Sequence, residues 1–378
     1  MLNKSIARGS APARLKILYV QPGTDSFAGI ERVVHTVCSQ LAEKYSGELD
    51  IDVLYTSIQH NRPSGRSKYT SIDSVTTGKI SLMRTLRCVV GRKRYDLVVL
   101  PQIEPTVICM VSCLGIPRRF VVHLHGNPRL ENSHVKAKIL FFLMKAFFVR
   151  RVTSVFGTSP RQLESFKTMF NSKRPHYWVP NPVRRFDIAV AEEASKDGII
   201  TFVNVGRFSF QKGQDTLLEA FWRLYRTRQD IRLRIVGYGE DEEKLRCEIH
   251  RLGLQDVATL EHHPNSPQAV LIRGDIYIST SRWEGWSLAI CEALRFGLPV
   301  ISTDCEFGPS DILVDERLGR LVPTDDIDQL VDLMRYYCIN LQSEKAHADF
   351  RREFVEVYSA ENVIHAHAQA LLESVHLN

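Results

Sequence analysis

The chain has 378 residues, 44% of them apolar and 24% charged, enough for two globular cores and too apolar for a disordered polymer. The apolar-richest stretch, near 139–149, is broken by Lys145 and too short to span a bilayer, and residues 1–14 are polar and basic with no apolar signal core. The net charge of +6 hides an asymmetry: residues 1–180 hold 27 Lys/Arg against 11 Asp/Glu (+16), and the remainder 22 against 32 (−10).

In chain order, residues 1–14 are expected to be a disordered tail, and Lys16-Ile-Leu-Tyr-Val predicts the first strand. A turn from Gly23 to Gly29 leads into a helix with Glu31 and Arg32 in its first turn, running to about Tyr45. A glycine turn between strand and helix opens a Rossmann-like domain, but the G-x-G-x-x-G pattern is absent and no dinucleotide is indicated. Ile51–Tyr55 reads as a strand, 57–76 as a polar loop, 80–92 as a basic helix, Leu97–Leu100 as a strand and 104–115 as an apolar helix. The strand from Arg119 ends at His125-Gly126-Asn127, which puts His125 where site residues of such sheets belong. Residues 134–151 combine a dense apolar face with Lys136, Lys138, Lys145, Arg150 and Arg151; as a helix they suit either the core or the interface of an anionic membrane. Thr153–Ser159 is a strand, and Pro160 opens the next helix. Prolines at 180 and 182 close a first domain spanning 15–183, and 184–198 reads as a linker.

A second domain, 199–359, begins with the strand Ile199–Val205 and the loop Gly206-Arg207-Phe-Ser-Phe-Gln-Lys212-Gly213. Two cations five residues apart on a strand-to-helix loop suit a diphosphate, the Arg as a fork and the Lys as a point charge. Arg232–Val236 is a strand turning at Gly237-Tyr238-Gly239, which lacks the third glycine of a dinucleotide site. Val257–His263 is a short strand ending in a His pair with no ligand-spaced partners for a metal. The strand Asp275–Ser279 leads to Ser281-Arg-Trp-Glu284-Gly285-Trp286-Ser287-Leu288, where Gly285 reads as a tight turn and Ser287 as an N-cap. Glu284 then lies in the loop and Glu292 on the helix, whose first N–H groups near Leu288 form an anion site. Gly319–Pro323 is the last strand, Asp325 and Asp326 cap a helix, and 360–376 form a terminal helix expected, within 360–378, to pack back on the first domain. The eight cysteines are scattered and read as reduced, with Cys109 and Cys113 at helical spacing but no metal-ligand company. Alternating strands and helices with motifs after strand ends predict an α/β fold of two Rossmann-like domains facing across a cleft.

The pair Glu284 and Glu292 resembles the E-x7-E signature of the retaining glycosyltransferases of family four. Gly206–Gly213 resembles the family's Gly-Arg-x-x-x-x-Lys-Gly, Gly237-Tyr238-Gly239 its Gly-x-Gly turn, and Ala28-Gly29-Ile-Glu31-Arg32 its Gly-Gly-x-Glu-Arg turn. Trp286, Ser287, Ala28 and Pro182 depart from the commonest residues. The resemblance implies a GT-B fold with the terminal helix crossing back, and a nucleoside-diphosphate sugar as co-substrate with no cofactor and no metal. It implies that Glu284 contacts hydroxyls of the transferred sugar, Glu292 the ribose, and Arg207 and Lys212 the diphosphate. His125 would lie near the sugar and acceptor, and the backbone at Gly29, Gly237, Gly239 and 285–288 near the donor. The activity so implied is hexosyl transfer to a lipid-linked saccharide in lipopolysaccharide, O-antigen or other surface-polysaccharide assembly. The expected place is cytoplasmic, on the inner face of the cell membrane, with an anionic membrane surface as partner of the basic first domain. The alternative is a non-catalytic sugar-nucleotide or carbohydrate-binding subunit of the same fold. Nucleic acid is not expected, since the cations are interleaved with apolar core rather than with stacking aromatics.

Overall fold

The computed structural model describes residues 14–377 except 22, 25, 26, 28, 60, 61, 64, 66, 133, 187–197, 264 and 265, and the side chain of 132. Residues 1–13 of the expected tail, Ala28, and 187–197 of the expected linker therefore lie outside the described residues.

The first sheet contains β1 (Leu15–Val20), β2 (Leu49–Tyr55), β3 (Thr70–Asp73), β4 (Leu97–Pro101), β5 (Phe120–Leu124), β6 (Val152–Gly157) and β7 (His176–Trp178). All its pairings are parallel, in the order β3-β2-β1-β4-β5-β6-β7. Its central strands are apolar runs buried on both faces, which is what helices on either side require. Helix α1 (Gly29–Lys44) covers one face. The other carries α2 (Lys79–Arg92), α3 (Ile103–Ser112), α4 (Val135–Leu143) and α5 (Pro160–Phe170), with Leu86, Val107, Phe141 and Phe166 in its core. Ser159 caps α5 by accepting from the Gln162 N–H at 3.2 Å.

The second sheet contains β8 (Ile200–Val205), β9 (Ile231–Val236), β10 (Ala258–Glu261), β11 (Ile276–Ser279), β12 (Val300–Thr303) and β13 (Gly319–Val322). Its order is β10-β9-β8-β11-β12-β13, again parallel throughout. It is wrapped by α6 (Gln214–Tyr225), α7 (Glu242–Arg251), α8 (Gln268–Leu271), α9 (Leu288–Arg295), α10 (Pro309–Ile312), α11 (Ile327–Ile339), α12 (Leu341–Lys345) and α13 (Ala348–Glu356). Asp326 caps α11 through the Gln329 N–H, 3.0 Å away.

The terminal helix α14 (Ala360–His376) leaves the second domain and packs on the first sheet. Ile364, Ala368 and Leu371 join the core under α1, and Ser374 hydrogen-bonds Ser154 of β6 at 2.6 Å. The chain crosses between the domains at two adjacent places, since the Val183 N–H donates to the Tyr358 carbonyl at 2.8 Å.

Two local departures from the sequence reading are informative. The expected loop 57–76 contains β3, an edge strand that buries little and is held by backbone pairing to β2, which no side-chain alternation signals. The segment 134–151 is not one regular helix. After α4 it widens into a single π-helical turn at Met144–Phe148, with the Val149 N–H bonded to the Met144 carbonyl at 2.8 Å.

Candidate active site

Both sheets reverse their strand order at one point, between β1 and β4 in the first and between β8 and β11 in the second. Loops leaving neighbouring strands at such a point diverge and open a crevice. The loop after β8 carries Arg207 and Lys212, and the loop after β11 carries Glu284 to Ser287, so the two charged motifs flank one crevice by topology alone.

These loops are laced together. The Arg282 N–H donates to the Gln211 carbonyl at 2.7 Å, the Gln211 amide donates to the Trp283 carbonyl at 2.9 Å, and the Thr280 hydroxyl donates to the Lys212 carbonyl at 3.1 Å. Gly213, at φ 61°, lies against the Thr280 carbonyl, where a Cβ has neither the room nor the backbone geometry. The Arg282 guanidinium ties the assembly to Asp215 (3.0 Å) and Asp325 (3.1 Å).

Glu284 and Glu292 are each buried and held by a cation. Glu284 Oε1 lies 2.5 Å from Lys212 Nζ and accepts from the Ser281 hydroxyl at 2.7 Å. Glu292, on α9 and 4% exposed, accepts from Arg184 Nε at 2.7 Å. Arg184 stands just past the first crossing between domains. Burial holds the Arg32 guanidinium on α1 below its usual range, Arg184 adds to this, and Tyr238 and Glu292 oppose it. These four side chains therefore share one corner of the cleft. Arg207, on the loop after β8, is exposed.

Ser287 occupies the N-cap position of α9, but its side chain makes no capping bond, contrary to the expected cap. The first-turn N–H groups of α9 are left to face the crevice, an arrangement that favours an anion. Gly285 is required for a different reason from the expected tight turn. A Cβ there would overlap the His125 carbonyl oxygen and the Gly126 Cα of the other domain. The glycine thus lets the two domains touch at the site. Leu288 packs against the cores of both domains. Trp286 is buried, its ring 5.0 Å from Tyr358 at the crossing, so its side chain packs in the core and only its backbone borders the cleft.

His125 ends β5 and is buried. Its ring lies against His123, with centroids 4.0 Å apart and planes tilted by 40°, and His123 in turn lies 6.0 Å from His367 of α14. Burial, helped by His367, pushes His125 down to about 3, so it is a neutral imidazole at physiological pH. His367, which contacts the Pro180 carbonyl through Nε2 at 3.1 Å, is pushed down to about 4. Neither ring nitrogen of His125 has a hydrogen-bond partner among the described residues. Gln102, at φ 65°, accepts from the His125 N–H at 3.3 Å and shapes this turn.

The remaining expected positions are placed as follows. Gly29 opens α1 and borders open space. Gly237 and Gly239 pack tightly on the backbone of Gly206 and Phe208 and so support the Arg207 loop. His262 lies against Tyr238, and His263 contacts Glu261 at 3.0 Å. Among the described residues no three His, Cys, Asp or Glu side chains converge as a metal site.

Four participants were not picked out as site residues by the sequence: Arg184, Arg282, His367 and Glu306. Glu306 bridges the cleft to Asn127 (2.7 Å) and Arg129 (2.5 Å) of the first domain. Each looks like an ordinary polar loop or helix residue until its distant partner is known.

The glycosyl transferases group 1 family matches residues 186–353. That match lies in the second half of the chain and takes in the β8 and β11 loops. An uncharacterized glycosyltransferase of Methanocaldococcus jannaschii is 39% identical over 208 residues, covering 52% of this chain and 51% of that protein. The chain thus spans about half the length of that relative. An uncharacterized glycosyltransferase of Haemophilus influenzae is 29% identical over 90% of this chain and 95% of its own length. The O-antigen chain mannosyltransferase C of Escherichia coli is 27% identical over 67% of this chain and 73% of its own. A solved Anabaena protein, HepE in complex with UDP, superposes with a TM-score of 0.77 at 16% identity over 95% of this chain and all of that one. The shared architecture is the GT-B fold, and the region matched by the family model contains Arg207, Lys212, Glu284 and Glu292.

Proposed function

We propose that this chain is a metal-independent, configuration-retaining hexosyltransferase. It takes its sugar from a UDP- or GDP-linked donor and passes it to a lipid-linked saccharide in O-antigen, lipopolysaccharide or related surface-polysaccharide assembly. The observation that carries this reading is that the Lys212–Glu284 and Arg184–Glu292 pairs lie at one switch-point crevice, where α9 begins without a side-chain cap and the Lys212 loop also carries Arg207. The O-antigen relative supports the setting.

Breaking the sugar C1–O bond to the diphosphate leaves negative charge on the departing phosphates and positive charge on the sugar ring. Arg207, Lys212 and the α9 N–H groups oppose the first, fixed in place before the reaction. Glu284 accepts from sugar hydroxyls and faces the ring charge, and Glu292 accepts from the ribose hydroxyls. Neutral His125 offers a hydrogen bond to a sugar or acceptor hydroxyl without adding a charge. The acceptor enters from the first domain, whose excess of 16 positive charges over residues 1–180 suits a cytoplasmic, peripheral position on an anionic inner membrane face.

The test is turnover of a panel of UDP- and GDP-hexoses by Lys212→Ala and Glu292→Ala, each checked for an unchanged thermal midpoint. Loss of hydrolysis and transfer with the fold intact is expected. Near-wild-type rates in either variant would sink the assignment.

A further inference from the structure

The helix α4 and the π turn after it present two apolar faces, and only one is covered. Ala137, Phe141, Met144 and Phe148 are buried against the first domain's core. On the other side Val135, Ile139, Phe142 and Phe147 are 73%, 55%, 65% and 60% exposed. At about 100° per residue, 135, 139 and 142 fall within an arc of about 60°. In an unbroken α-helix Phe147 would rotate off this arc. The wider π turn turns it back toward the same side.

The charges around this stripe are of one sign. Lys136 and Lys138 flank it on either side, Lys145, Arg150 and Arg151 follow, and all five are exposed. No Asp or Glu stands between Glu131 and Glu164. A water-facing stripe of large apolar groups edged by cations fits a surface that is oily below and anionic above. A second copy of this chain would bring the same positive charge, and repulsion disfavours it.

We propose that α4 and its π turn lie in the plane of an anionic bilayer, with Val135, Ile139, Phe142 and Phe147 in the acyl boundary and the lysines at the phosphates. The stripe begins beside the cleft. His134, which caps α4, lies 3.8 Å from Glu104 near the start of α3, and exposed Leu130 follows Arg129, which grips Glu306 across the cleft. Docking on this face therefore holds the cleft mouth near the lipid headgroups. That orientation serves a lipid-linked acceptor, and this one consequence rests on the transferase reading; the lipid contact itself does not.

The experiment is co-sedimentation of the full chain with phosphatidylcholine vesicles, with and without phosphatidylglycerol, in the absence of nucleotide. The wild type is expected to bind the phosphatidylglycerol vesicles, and raised salt to weaken that binding. Phe142→Ser with Phe147→Ser, and separately Lys136→Glu with Lys138→Glu, should each lower the partition coefficient about tenfold or more. Hydrolysis of UDP- and GDP-hexoses without vesicles should match the wild type in both variants, which also shows that they fold. A wild-type chain left in the supernatant overturns the proposal, as does a variant that binds undiminished, equal binding to both vesicle types, or self-association through this face. Absence of donor hydrolysis with vesicle binding intact would instead overturn the transferase reading.

Discussion

The two domains share a strand plan but divide the work differently. The second domain keeps its charged groups on its own loops: Arg207, Lys212 and Glu284 all lie after β8 or β11, and Glu292 follows one helical turn later. The first domain brings Arg32 of α1 to the corner near Glu292. It brings a backbone edge, His125-Gly126, that seats on Gly285, a neutral imidazole, and side chains such as Asn127 and Arg129 that reach Glu306. The lesson concerns range. The gripping half is assembled by contacts between adjacent loops of one sheet, and the closing half by contacts that exist only when two sheets face each other.

Variants that attack one half or the other sharpen this division. The largest effect is expected from Lys212→Ala, which removes a fixed cation from the developing charge and leaves Glu284 buried without its partner. Turnover should fall about 10²–10³-fold in a steady-state assay. Gly285→Val comes next, because its side chain has no room against the His125 carbonyl and must separate the domains. A loss of about 10²-fold in transfer with a nearly unchanged affinity for free UDP or GDP would be measured by kinetics and titration calorimetry. Unchanged transfer would show that the observed domain contact is not the working one.

A smaller effect is expected from Arg184→Ala, which takes from buried Glu292 its hydrogen-bonded cation. The thermal midpoint should drop, and Arg184→Ala with Glu292→Gln should recover part of the loss, because the destabilising charge is gone. Calorimetric scans of the single and double variants test this coupling. The mildest prediction concerns pH. His125 and His367 titrate in the folded chain near 3 and 4, against about 6.5 when unfolded. As pH falls below about 6.5 the unfolded state takes up protons that the folded state refuses, so stability declines until the folded values are reached. His367→Gln should flatten that decline between pH 6 and 4 in unfolding titrations, the window that lies between the folded and unfolded values.

Much of this site was legible in the chain because its signals are local. A cation pair spaced five apart between a strand and a helix, and two carboxylates on a strand–loop–helix unit, are short-range patterns tied to backbone geometry. The Arg184–Glu292 pair was not legible, because its members lie 108 residues apart and the helix and crossing that join them are set by packing. The strand β3 was missed because pairing with β2, rather than its own side chains, makes it a strand. For 134–151 the composition left two uses open, and the structure puts one face in the core and leaves the other exposed.

The sequence by itself determined the alternation of strands and helices, the crevice-facing loops that carry Arg207, Lys212, Glu284 and Glu292, and the charge contrast between the halves. These depend on neighbours along the chain, whose hydropathy and turn chemistry act over a few residues. Only the tertiary structure decided which cation holds which carboxylate, why Gly285 must be glycine, and which side of α4 is left bare. Those outcomes depend on groups brought together across two sheets, and no local preference specifies the distance between them.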